Sequence, residues 1–267
     1  MKLKRCVSFS MVFLLCLGLC GATDFQKNVH AGMDALRKGY SRWNEEALRQ
    51  ARDVLLSAEK VSNGDLYAKY YVAYADYLLS IFYFTNDKEK AKNYLLESFA
   101  QLDKVVLTKS KTLKAEAYAL YASGLGLQLS LGYDAAAEQV IGPKIEEYFA
   151  VALQEDRENP RVNLLRGIGL LHTPEIWGGG LDKAISFFIK SVNLFRQETI
   201  DQSLAPRWGH DEALLNLGIV YYKKGDLSQA EKCLHDSLKI NPEFALAIKT
   251  LAEWKSKTPS LGGEKKN

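Results

Sequence analysis

Apolar side chains recur at offsets of three and four along most of the chain, the pattern of helices that bury one face. Within this period a more specific spacing repeats: a small residue, a large apolar residue four positions on, and a small residue three further. It occurs as Ala230, Leu234 and Ser237, as Ala184, Phe188 and Ser191, and as Ala91, Leu95 and Ser98. A weaker version is Ile145, Phe149 and Ala152, and another is Ala51, Leu55 and Ala58, where Ala47 offers a competing register. Each trio follows another helical stretch. Tyr67 to Phe84 runs into the turn and N-cap cluster Thr85, Asn86 and Asp87. Lys111 to Leu131 contains Gly124 and leads to Gly132 and Tyr133, and Pro160 to Leu171 contains Gly167. The pattern predicts an all-α chain of five antiparallel helix hairpins near 25–60, 66–105, 111–157, 160–196 and 211–242, closed by a helix over Glu243 to Lys255.

The last hairpin carries the most complete pattern. Leu214, Leu217, Gly218 and Tyr221 lie on its first helix, Gly225 at its turn, and Ala230, Leu234 and Pro242 on its second helix and exit. Gly218 and Ala230 are small where backbones approach, larger side chains fill the space around them, and Pro242 cannot continue a helix. This set resembles the tetratricopeptide repeat family, whose unit of roughly 34 residues buries its apolar face only against neighbouring units. The resemblance implies a solenoid over 23–256 with a C-terminal capping helix, followed by a flexible tail at 257–267.

Three stretches depart from the repeat. The turn from Leu131 to Ile145 is expanded, with an expected short helix at Asp134 to Val140 broken by Gly142 and Pro143. The turn before Ala184 holds Thr173, Pro174, Glu175, Ile176, Trp177 and Gly178 to Gly180. Gln197 to His210 separates the last two hairpins and includes Pro206, Arg207, Trp208 and Gly209. The Thr-Pro-Glu, aromatic, Gly-Gly turn and the Pro-x-Trp-Gly segment are similar to those of poorly characterised exported bacterial tetratricopeptide proteins. That resemblance covers roughly Asn159 to Ile248 and implies a helical adaptor without implying a reaction. By export signal and repeat content the chain is also similar to periplasmic tetratricopeptide subunits associated with some substrate-binding transport systems.

The N-terminus changes the picture of compartment. Lys2, Lys4 and Arg5, the apolar run Val7 to Leu19 and the small residues Gly21 and Ala22 have the three-part form of a secretory leader. Its apolar core is shorter than the roughly 20 residues of a spanning helix, so cleavage is expected after Ala22, giving a leader at 1–22. The alternative, a lipid anchor on Cys20, is disfavoured by the large Leu19 before it. The mature chain then keeps Cys233 alone and forms no internal disulfide, which suits a bacterial periplasm or cell envelope. Lys and Arg number 35 against 32 Asp and Glu, and losing the three leader cations makes the mature chain formally neutral. The basic footprint of a nucleic-acid binder is absent.

Candidate chemistry is sparse. The sequence has no histidine pair at metal-binding helix spacing, no phosphate loop and no nucleophile elbow. His172 with Glu175, or His210 with Asp211 and Glu212, reads more simply as helix-end and loop hydrogen bonding, so no catalytic residue, cofactor or metal is expected. Setting Gly124, Gly167 and Gly218 at equivalent positions puts Tyr118, Tyr121 and Leu125, Leu164 and Ile168, and Leu215 and Ile219 on the concave side. A largely apolar groove there would bind a partner protein, hold a small apolar ligand, or be filled by the chain's own irregular segments. Tyr67, Tyr70, Tyr74 and Tyr77 form a further stripe, read first as hairpin packing. Trp177 and Trp208 are the loop contacts, with Trp208 expected as the packing partner of Trp177 ahead of the alternative, in which the loop binds a partner. The leading expectation is a non-enzymatic protein-association module of the cell envelope, with a carrier of a small apolar ligand as the alternative.

Overall fold

The computed structural model describes residues 9–62, 65–132, 135–200 and 203–257. Lys2, Lys4 and Arg5 of the expected leader, Tyr133 and Asp134 of the third turn, and the tail from 258 lie outside them. Five helix pairs follow in order: α1 (Phe9–Arg42) with α2 (Glu45–Ser62), α3 (Leu66–Tyr83) with α4 (Lys88–Val105), α5 (Lys111–Ser130) with α6 (Ala135–Glu155), α7 (Pro160–His172) with α8 (Leu181–Gln197), and α9 (His210–Lys223) with α10 (Leu227–Ile240). The helix α11 (Ala245–Lys257) closes the array. Each pair packs as a hairpin, and successive pairs stack, giving a tetratricopeptide-like solenoid.

Local signals account for the boundaries. The side chains of Asp65, Asp87, Ser110, Asn159 and Asp226 each accept a hydrogen bond from a backbone amide in the first turn of the following helix, meeting donors that the helix leaves unpaired. Pro160 takes the first helical position of α7, where its missing amide hydrogen costs nothing.

The recurring trio has a physical basis. The hydroxyls of Ser98, Ser191 and Ser237 donate to the backbone carbonyls of Ala73, Pro160 and Asp211, each at 2.8 Å. The third residue of the trio is therefore a lock between the two helices of one hairpin. Its first helix contributes a small residue: a Cβ on Gly167 would meet Phe188 at 2.6 Å, and one on Gly218 would meet the carbonyl oxygen of Ala230 at 3.0 Å. Gly124 differs, because its missing Cβ faces Phe99 of α4, in the preceding hairpin, at 2.6 Å. It is not the counterpart of Gly167 and Gly218. In the second hairpin Ser80 lies as far beyond Ala73 as Gly167 lies beyond Pro160, and it is fully buried.

One element departs from expectation. The helix α6 continues through Gly142 and Pro143 instead of breaking there. Proline removes one backbone hydrogen bond, but Ile141 and Ile145 on either side of it both pack against the core, and that packing carries the helix across.

The array also returns on itself. Asn241 Nδ2 donates to Ser41 Oγ at 2.8 Å, Arg42 pairs with Glu243 at 3.0 Å, and the rings of Tyr40 and Phe244 are 5.6 Å apart. The first hairpin thus meets the last, and the first helices of the repeats face a common interior.

Candidate functional site

The interior is crossed by residues 203–209, which connect α8 to α9. Leu204 and Pro206 are buried. Ser203 Oγ lies 2.7 Å from His30 Nε2 of α1, and the Tyr71 hydroxyl of α3 donates to the carbonyl of Ala205 at 3.1 Å. The indole of Trp208 stacks on Tyr74, with centroids 4.2 Å apart and planes 17° from parallel. Gly209 has φ of 105°, and a Cβ there would meet Leu164 at 2.9 Å and Phe195 at 3.0 Å, so only glycine lets the chain pass so close to α7 and α8. Trp208 Nε1 is buried without a hydrogen-bond partner among the described residues, a condition that costs about 1–3 kcal/mol for a typical buried donor.

Arg161 ties this segment to the helices. Its Nε donates to Glu116 Oε1 at 2.8 Å, and its Nη1 donates to the carbonyl of Trp208 at 3.2 Å and to Glu198 Oε2 at 3.3 Å. Glu116 also accepts from Asn159 Nδ2 at 3.0 Å and from the Tyr70 hydroxyl at 2.9 Å. Arg161 and Glu116 are almost completely buried. Burial alone would lower the guanidinium pKa, but the Glu116 and Glu198 carboxylates outweigh it and hold the charge firmly in place.

A second polar group lies where the two ends of the array meet. Burial, reinforced by the neighbouring Asp211 charge, pushes the Glu212 carboxyl up to about 7, against a hydrogen bond with Tyr40 that favours the ionised form. Burial and the charges of Glu212 and Asp211 likewise raise the Tyr74 phenol. The carboxyl holds its proton more tightly in the folded protein than in the unfolded chain. Its contribution to stability therefore falls as pH rises from the unfolded value towards 7. Urea unfolding of wild type and Glu212→Gln should show the balance shifting towards the variant by about 1–2 kcal/mol between pH 4 and pH 8; parallel pH curves would count against it.

The structure separates the residues expected to share a groove. Tyr121 stacks on Phe99 at 4.6 Å, meets Tyr148 edge-on at 5.1 Å and donates to Asp103 at 3.1 Å. Its partners belong to α4 and α6, the second helices of their hairpins, so it is enclosed between hairpins. Tyr118 also meets Tyr148 edge-on, and Leu125 is buried in the core of the first three hairpins. The misplaced register at Gly124 explains this group. Leu164 is covered by Gly209, and Ile168 is half-buried beside it. Leu215 and Ile219 pack in a third cluster with Phe244 and Trp254. Of the tyrosine stripe, Tyr70 is a buried partner of Glu116 and Tyr74 is covered by Trp208. The interior also holds Tyr71, Glu116, Arg161 and Glu212, which the sequence reading did not bring together there. A carboxylate flanked by small apolar residues, as Glu116 is by Ala115 and Ala117, was the available signal.

Trp177 does not pack on Trp208. It lies in a short 3₁₀ turn, Glu175–Trp177, and is 77% exposed, beside Ile176 at 86%. The turn is nevertheless fixed. The amides of Gly178, Gly179 and Gly180 donate to the carbonyls of Glu175, Pro174 and Leu170 at 2.9, 3.1 and 3.0 Å, and Lys183 Nζ reaches the Gly178 carbonyl at 2.8 Å. A Cβ on Gly179 would lie 1.8 Å from the Thr173 carbonyl oxygen. The glycines therefore build a hydrogen-bonded turn that leaves two large apolar side chains out in solvent.

Of the histidines weighed for chemistry, His210 stacks on Phe195 at 5.3 Å. Burial, then Arg196, lowers its pKa, and burial, then Lys223, does the same for His172. Among the described residues no group of histidine, cysteine and acidic side chains is suited to a metal ion, and no helix is long and apolar enough to cross a membrane. A cleft of about 140 Å³ between α8, α9 and α10 is lined in part by Val192, Arg196, Leu217, Tyr221 and Cys233. Burial and the nearby Asp236 push the Cys233 thiol up to about 11. In the folded protein Cys233 should resist iodoacetamide at pH 8 and react when denatured; fast native labelling of Cys233 would contradict this placement.

Hairpin stacking, the serine locks and the small-residue contacts define a tetratricopeptide-type solenoid, and residues 211–244 match the tetratricopeptide repeat model. The chain is similar to the HusA haemophore from Porphyromonas gingivalis, with 26% identity and a TM-score of 0.59 over 76% of this chain and 93% of that one. It also shares the fold of a thermophilic TPR protein in Thermus thermophilus, with 15% identity and a TM-score of 0.60 over 86% of this chain and 97% of that one. No curated protein matches the chain.

Proposed function

We propose that this is an exported, non-enzymatic binding protein of the bacterial cell envelope, which holds a partner protein through the α7–α8 turn. The observation that carries the reading is the display of Ile176 and Trp177, 86% and 77% exposed, on a turn closed by backbone hydrogen bonds, while the interior is occupied by the chain's own residues 203–209. A large aromatic side chain held out in solvent without its own packing is a typical anchor for a protein contact. The leader-like N-terminus supports export. A photocrosslinking residue at position 177, in the native host, should give a protein adduct that the same residue at the enclosed position 121 does not. Equal labelling from both positions, or none from 177, would sink the reading.

The resemblance to a haemophore favours a second reading, a carrier of a small, largely apolar ligand held in the tyrosine-lined interior. Native mass spectrometry of the mature protein purified from its host should then show a bound small molecule. A mass equal to that of the bare chain would count against it.

A further inference from the structure

The geometry points to Trp208 as a built-in occupant of a ring-binding slot on Tyr74, so that the ligand taken by the interior is a flat aromatic molecule that replaces the indole. This rests on the carrier reading and adds to it the class of ligand and the residue that competes with it.

Near-parallel stacking at 4.2 Å and 17° is how one flat aromatic system recognises another, and the chain supplies the second ring from a connecting segment instead of a helix. Tyr74 is fixed in the middle of α3, between hairpins, and is buried. Trp208 is carried by a connecting segment tied from Tyr71 to Ala205 and from Arg161 to Trp208 itself, and its side chain packs against two of the core clusters. No helix has to unwind for the indole to leave. The docked indole also leaves its own Nε1 buried and without a partner among the described residues, whereas buried tryptophans ordinarily find an acceptor. Withdrawal into solvent satisfies that donor.

A slot filled by the protein's own side chain lowers apparent affinity by the fraction of time that it is free. Using protoporphyrin IX as the probe, mature Trp208→Ala should bind about tenfold more tightly than wild type by calorimetry. Trp208→Phe, which keeps a smaller ring and protects the fold, should fall between them. Tyr74→Leu in the Trp208→Ala background should abolish the gain. Equal affinity of wild type, Trp208→Ala and Trp208→Phe would overturn the slot and leave the carrier reading standing. The same separation follows if neither variant binds the porphyrin while the host-purified protein carries a non-aromatic molecule. Failure of every variant to bind, together with a bare host-purified chain, would remove both.

Discussion

Arg161→Met is expected to lower the unfolding free energy by about 3–5 kcal/mol, the usual consequence of removing one partner from a buried ion pair. The guanidinium serves Glu116 of α5, Glu198 beyond α8 and the carbonyl of Trp208 together. Methionine fills much of the volume but leaves the Glu116 carboxylate with Asn159 and Tyr70 as its donors among the described residues. The loss should appear in urea unfolding at neutral pH. It should be accompanied by faster limited proteolysis between residues 198 and 209, because the same side chain anchors that segment. Adding Glu116→Leu should recover part of the stability, since the stranded charge is then removed. A loss below about 1 kcal/mol would show that the network does not hold the interior together.

The second large effect concerns the fit between α7 and α8. Phe188 is fully buried with its ring against Gly167, where a Cβ would approach to 2.6 Å. Phe188→Ala should cost about 3–5 kcal/mol through the cavity that it leaves. Gly167→Ala should cost about 1–3 kcal/mol, because an enclosed ring cannot move aside without strain. In the double variant the new methyl group enters the space that the ring vacated, so the combined loss should fall short of the sum by about 1 kcal/mol or more. Strict additivity in a denaturant-based cycle would show that the two positions do not press on one another.

The hairpins were legible because their signals are local. A small residue, a large one and a serine on one helix face record how that helix meets its partner, and the serines of the second, fourth and fifth hairpins turn out to make the same bond. Gly124 misled because a small residue serves equally well between neighbouring hairpins as within one, and sequence spacing does not say which. The assignment of Tyr118, Tyr121 and Leu125 to a groove failed with it. The interior was less legible for another reason. Tyr74 and Trp208, Glu116 and Arg161, and Ser41 and Asn241 are brought together by curvature accumulated over many residues, and nothing within either member of a pair names the other. Glycines at 178–180 marked a turn correctly, yet only the structure shows that backbone bonds close it and that it presents Ile176 and Trp177 outward.

The contact between the first hairpin and the last has a consequence for how the molecule comes into being. In an open stack each repeat finds all its neighbours soon after it is made, and either end is free to fray. Here Tyr40, Ser41 and Arg42 wait for Asn241, Glu243 and Phe244, some two hundred residues later in the chain. The first hairpin emerges well before the residues that complete it. A chain cut short before Asn241 carries its defect at both ends.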